Sequence, residues 1–382
     1  MIYLDWNATA PLEPAARAAW LAAQDEAWGN PGSAHGVGQA ARHRLDAALA
    51  ACARLLGAAA HELIVTSGGS EANATAIHAA LAGRPGGNVV VGAVEHSSIL
   101  RNVEAAARRT GAAVRPLGVD RDGRYAPAAL AALVDADTRL LCVQYANNEL
   151  GTLQDVPALA AAARAPGRDV RIHCDACQGP GKRAIDLRAL GVDSAAIAGH
   201  KFGAPKGIGL LWTASGWRAA PLILGGRQQQ DRRSGTEDAA LACALAAALA
   251  ARLARAGDED MRQRRALDAC FARIAAALPG TCWLARGAQR LANTMCLAHG
   301  GVAADVLMTR LDLAGFAVSK GSACMAKRSD PSHVLDALGI DVSTARSAIR
   351  VSIGPTTDDG ALRSFADVYA REVRAMLARA AD

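Results

Sequence analysis

The chain has 382 residues, 51% of them apolar and 20% charged, enough to bury a large core and to divide into two domains, which excludes a disordered chain. Its formal charge of +6 comes from 42 basic and 36 acidic residues spread along the chain, with no basic run or interleaved aromatics, so no nucleic-acid track is expected. Nine cysteines, an odd number without an apolar leader, argue against a disulfide framework and for a reducing cytoplasm.

The chain opens on YLDWNATAP at 3–11, which has no basic and then apolar leader pattern. From residue 61, short apolar runs end in polar or Gly residues: HELIVTSG, GNVVVGAVEH, AAVRPLGVD, TRLLCVQYANNE, DVRIHCDACQ and DSAAIAGHK. These read as strands. Helical periods lie between them, in EANATAIHAALAG, SSILRNVEAAARRTG and VPALAAAARAPG. Such alternation predicts an α/β fold with a mainly parallel sheet between helices, with ligands outside the carboxyl ends of the strands.

The Ala-rich stretch at 239–256 is broken by Arg252 and Arg255, so it is expected to be a buried helix and no membrane span is predicted. A boundary is placed near residue 255. Residues 15–255 would form a large domain, and residues 256–382, joined by 1–14, a smaller α+β domain.

Three clusters carry chemistry. In TSGGSEANATAI, at 66–77, a strand runs through glycines into a helix, which aims backbone N–H groups of Gly68, Gly69 and Ser70 at an anion; an ordinary capped turn reads the same way. In IHCDACQG, Asp175 ends a strand, where a carboxylate can pair with a protonated ring nitrogen or simply cap a turn. Cys174 and Cys177 have CxxC spacing, but no second pair stands at zinc-like distance, so no metal site is expected. In AGHKFGAPKGIG, Lys201 follows a strand between His200 and glycines, a setting suited to a Schiff-base nucleophile, with Lys206 as a competitor.

The order of these clusters resembles one family. YLDWNATAP, GNPGSAHGVGQ, TSGGSEANA, VEHSSI, NNELGTLQD, CDACQGPGK, AGHKFGAPKG, RRSGTED and SKGSACM are similar to segments of the cysteine desulfurases, which are class V aminotransferase-like, fold-type I pyridoxal-phosphate enzymes. The resemblance spans nearly the whole chain, and its loop length matches the nitrogen-fixation and iron-sulfur type with a long catalytic loop.

The resemblance implies pyridoxal 5'-phosphate as cofactor, with Lys201 as its Schiff-base lysine, Asp175 at the ring nitrogen, Gln178 donating to the ring hydroxyl and His96 stacked on the ring. It puts Gly69, Ser70 and His200 at the phosphate. Thr236 would reach the phosphate in a neighbouring subunit, implying a homodimer. Asn148 and Arg350 would hold the carboxylate of L-cysteine. Ala198 departs from the pattern, standing where a phosphate-binding serine is usual.

Cys324 would take the sulfur as a persulfide, leaving L-alanine, and pass it to an acceptor protein such as an iron-sulfur scaffold. Lys320, Lys327 and Arg328 lie beside it in sequence and favour its thiolate, and the segment lacks secondary-structure pattern, so a mobile loop is expected. Another pyridoxal-phosphate enzyme of amino acids, such as a selenocysteine lyase or aminotransferase, and a catalytically weak scaffold of iron-sulfur assembly are the alternatives. SKGSACM disfavours an aminotransferase, and a scaffold has no need of Lys201, Asp175, His96 and Cys324 together.

Overall fold

A computed structural model of the protein describes residues 1–164, 169–320 and 332–381. Among the described residues, seven strands form the central sheet in the order Leu63–Thr66, Gly209–Thr213, Ser194–Ala198, Arg171–Asp175, Thr138–Gln144, Asn88–Gly92 and Ala113–Leu117. All are parallel neighbours except Gly209–Thr213, which runs antiparallel to the strands on both its sides. The six runs read as strands from the sequence are all present. Gly209–Thr213 was not among them, because Gly207 and Gly209 merge it with the preceding lysine segment.

Successive residues of these strands serve opposite cores, as the two-residue period requires. Leu63 and Val65 face one cluster while Ile64 faces another. Leu141 and Val143 likewise join the first cluster, and Leu140 and Cys142 a third. Both faces are therefore covered, which is why the strands read as continuous apolar runs. Pro116 sits in the edge strand Ala113–Leu117, where its missing N–H costs no ladder bond.

Helix Ser97–Thr110 buries Ile99, Val103, Ala106 and Ala107, a stripe at helical spacing, and ends at Gly111 with φ 74°. Helix Ala239–Leu253 starts on the Asp238 carboxylate, which accepts from Leu241 N at 2.8 Å, and buries most of its alanines and leucines. No single helix among the described residues is long and apolar enough to cross a membrane. Between Asp175 and Ser194 the chain runs through turns rather than the crossover helix that simple alternation leads one to expect.

A second core brings Leu4 together with Leu267, Met295, Leu297, Val351 and Phe365. Its sheet has the antiparallel order Ile349–Ser352, Thr294–Ala298, Cys282–Trp283. Ile2–Tyr3 pairs in parallel with Phe316–Ala317. The first residues of the chain thus lie against its last third.

Candidate active site

The carboxyl ends of the central strands deliver the site. Thr66 leads into helix Gly69–Leu81, Gly92 into His96, Gln144 into Asn148, and Ala198 into the turn Gly199–Lys201, while Asp175 is itself a strand end. Gly69, Ser70, His96, Asn148, Asp175, Gln178, His200, Lys201 and Arg350 line one cavity of about 820 Å³. Of the candidate residues, Thr236 is exposed and does not line it. Cys324 lies outside the described residues.

Lys201 Nζ donates to the backbone oxygens of Asn7 at 2.8 Å and Ala8 at 2.9 Å. Burial, with the Arg350 guanidinium adding to it, lowers its pKa from the ordinary 10.5. A lysine in this state loses its proton more readily and becomes a nucleophile or base.

Asp175 is held from two sides, its Oδ2 accepting from Asn73 Nδ2 at 2.9 Å and its Oδ1 from Cys177 N at 3.0 Å. Because Asn73 spends its nitrogen on Asp175, its Oδ1 faces His173 Nε2 at 2.9 Å, so that ring nitrogen carries the proton. His173 Nδ1 then accepts from Ser194 Oγ at 2.8 Å. His173 and Asp175 are two residues apart on one strand and share a face; Cys174 points the other way into the core.

Helix Gly69–Leu81 begins with no side-chain cap after Gly68, whose φ of 151° only glycine adopts readily. A Cβ on Gly69 would come 2.4 Å from Cys177 Sγ and 3.3 Å from Ala198 Cβ, so glycine keeps this hollow open. An uncapped helix start facing a hollow, beside a lysine and a carboxylate held by two donors, fits a ligand with a phosphate and a basic ring nitrogen.

His96 caps helix Ser97–Thr110, its Nδ1 accepting from Ser98 N at 3.1 Å, which leaves the proton of the neutral ring on Nε2. Burial lowers its pKa from 6.5. Arg350 reaches in from the small sheet with 1% exposure, pairing through Nη2 with Asp5 Oδ1 at 2.6 Å and donating from Nη1 to Asn148 O at 3.0 Å. Its neighbour across the ladder, Ser319, precedes Lys320, whose ammonium pairs with Asp305 at 2.5 Å.

Several site residues escaped the reading of individual residues. Asn7 accepts from Lys201 and Gln178 through its backbone oxygen and from Lys182 through Oδ1. Asn73 and His173 orient Asp175. His333 and Glu149 line the cavity, joined to neighbours by His333 Nε2 to Glu95 O at 2.9 Å and Ser332 Oγ to Glu149 Oε2 at 2.6 Å. Asn73 was legible in principle, since it lies four residues after Gly69 on one helix face.

The pKa values of His173 and His200 are both pushed down to about 4 from 6.5, by burial first and, for His200, then by Lys201. The unfolded chain takes up protons below 6.5 that the folded one refuses, so this stability is present above 6.5 and lost as pH falls toward 4. The thermal midpoint of the cofactor-free protein is expected to drop by several degrees between pH 7 and 4.5, with a shallower fall in His173→Asn. An equally steep fall in the variant would remove His173 as a cause.

Fold and site together define an α/β enzyme with a buried lysine of lowered pKa at the carboxyl edge of its sheet. The chain belongs to the aminotransferase class-V family, whose pattern matches residues 2–363, and within it to the cysteine desulfurases. A cysteine desulfurase of Cereibacter sphaeroides is 39% identical over 93% of this chain and 91% of its own length. A solved NifS-like protein superposes with a TM-score of 0.90 at 27% identity, covering 98% of this chain and 99% of that one. SspA, solved in complex with cysteine, has a TM-score of 0.81 at 26% identity, over 94% of this chain and all of that one (100%).

Proposed function

We propose that the protein converts L-cysteine to L-alanine with pyridoxal 5'-phosphate held at Lys201, and that the sulfur leaves as a persulfide on Cys324. The observation that carries this reading is the meeting of Lys201, Asp175, His96 and Arg350 in one cavity. The cysteine found in SspA supports the substrate. When bound, the cofactor supplies an electron sink that acidifies Cα of an attached amino acid.

The protein residues do the rest. Gly69, Ser70 and His200 hold the phosphate, Asp175 pairs with the protonated ring nitrogen, and Gln178 donates to the ring hydroxyl. His96 lies against the ring face. Arg350 and Asn148 take the substrate carboxylate, which competes with Asp5 for the guanidinium. Lys201, with its lowered pKa, accepts the Cα proton as its free amine.

Cys324 thiolate then attacks the substrate sulfur. An S–S bond forms, the Cβ–S bond breaks with its electron pair left on carbon, and a proton delivered to Cβ completes the methyl group of alanine. The persulfide stays on the chain for an acceptor protein, for which an iron-sulfur scaffold is the proposed partner. Thr236, exposed and away from its own cavity, is assigned to the partner subunit's phosphate in a homodimer. A reducing cytoplasm is the proposed compartment, which the odd number of cysteines supports.

Purified protein given pyridoxal 5'-phosphate is expected to turn yellow, to lose the visible band on borohydride reduction, and to release sulfide and alanine in equal amounts from L-cysteine with a reductant. Protein that stays colourless after reconstitution, or makes no alanine, would overturn the proposal.

A further inference from the structure

An amine stands behind the site without lining the cavity. Lys182 Nζ donates to Asn7 Oδ1 at 2.7 Å and makes a close contact with Gln178 Oε1. From its other end Gln178 donates through Nε2 to the backbone oxygen of Asn7 at 3.0 Å. A side-chain amide has two ends of opposite polarity in nearly the same shape, so only its neighbours decide which way it faces. Here both neighbours decide it the same way. A backbone carbonyl only accepts, so the nitrogen faces Asn7; the Lys182 amine donates to the amide oxygens around it, so the oxygen faces Lys182.

The acceptors themselves are oriented. Asn7 Nδ2 donates to Asn148 O at 3.1 Å and Thr294 Oγ1 at 2.8 Å, and Asn293 Nδ2 donates to Asn7 Oδ1 at 3.0 Å. The amide of Asn7 is therefore set independently of Lys182. Gln178 Nε2 carries two hydrogens, of which Asn7 takes one. The second remains for the cavity that Gln178 lines.

We propose that Lys182 is a positioning residue that locks the Gln178 amide with an N–H toward the cavity, so that the site offers a donor to a ligand oxygen. The inference rests on the pyridoxal-phosphate reading, in which that oxygen is the ring hydroxyl. A donor there stabilises the oxygen as an anion, whereas a turned amide would present a lone pair and repel it. Burial first, then the charges of Lys201, Arg252 and Arg350, lowers the pKa of Lys182 well below the ordinary 10.5, and with or without its third proton the amine keeps two N–H groups for the two amide oxygens.

The test uses five proteins reconstituted with pyridoxal 5'-phosphate: wild type, Lys182→Met, Lys182→Arg, Gln178→Ala and the Lys182→Met, Gln178→Ala double variant. The readouts are cofactor dissociation by fluorescence and the pH midpoint of the visible absorbance, both without substrate. Lys182→Met is expected to weaken cofactor binding about five- to tenfold and to raise the midpoint. In the Gln178→Ala background the same change should add nothing, because Lys182 acts through that amide. Lys182→Arg, which also only donates, is expected to stay near wild type, and thermal melts verify that each variant is folded. A wild-type midpoint in Lys182→Met, or an undiminished effect in the Gln178→Ala background, would overturn the inference. Wild type that binds no pyridoxal phosphate would instead overturn the cofactor reading.

Discussion

Lys201→Ala is expected to lower alanine formation by about 10³-fold or more, since a positioned proton-transfer group alone contributes ~10²–10⁴ and the covalent anchor of the cofactor is lost with it. Protein reconstituted with pyridoxal 5'-phosphate, reduced with borohydride and digested should carry the label on the Lys201 peptide in wild type and on none in the variant. The fold should survive the change. Lys201 spends its charge on two backbone oxygens, Asn7 O and Ala8 O, and removing a partly desolvated amine relieves a cost of its own. A thermal midpoint equal to or above that of wild type, together with lost turnover, separates chemistry from unfolding. More than a tenth of wild-type activity in the variant would rule Lys201 out as the reacting amine, and Lys206 would be the next candidate.

Cys324→Ala has the second largest expected effect, with a different signature. Sulfide release should fall about 10²-fold or more, while L-cysteine still changes the visible spectrum, because the residues that bind the amino acid are untouched. Arg350→Ala should reverse that pattern: the spectral change would require far more L-cysteine. Treating wild type with one equivalent of L-cysteine and then an alkylating agent should trap a persulfide on the Cys324 peptide. Undiminished sulfide release from Cys324→Ala would refute the persulfide role.

The strands of the large sheet were legible because they are covered on both faces, so that apolar runs such as LIVT and VVV stand out against polar ends. Gly209–Thr213 is just as buried and escaped because glycines blur it into the lysine segment before it. Asp175, Lys201 and Gly69 announced themselves by position, each at or just beyond a strand end. The residues that orient them did not. Asn7 meets Lys201 and Gln178 through its backbone oxygen, which any residue type possesses, and its side-chain partners lie as far off as positions 148 and 294. His173 looks like an ordinary strand residue until Asn73 is seen across from it.

The place of Asn7 also sets an order of events during synthesis. Its backbone N–H donates to Ser352 Oγ, 345 residues away, at 2.9 Å, and Leu4 lies in a core built from the last third of the chain. Residues 4–7 thus find these partners only after the last third of the chain has been made. A nascent chain that has finished its large sheet already owns Lys201 and Asp175 but lacks the floor on which the lysine rests. Contacts this remote in sequence form late because loop closure must precede their reward. The pocket is thereby completed only when Ser352 is in place, and a chain stalled before it would be built around an unfinished one.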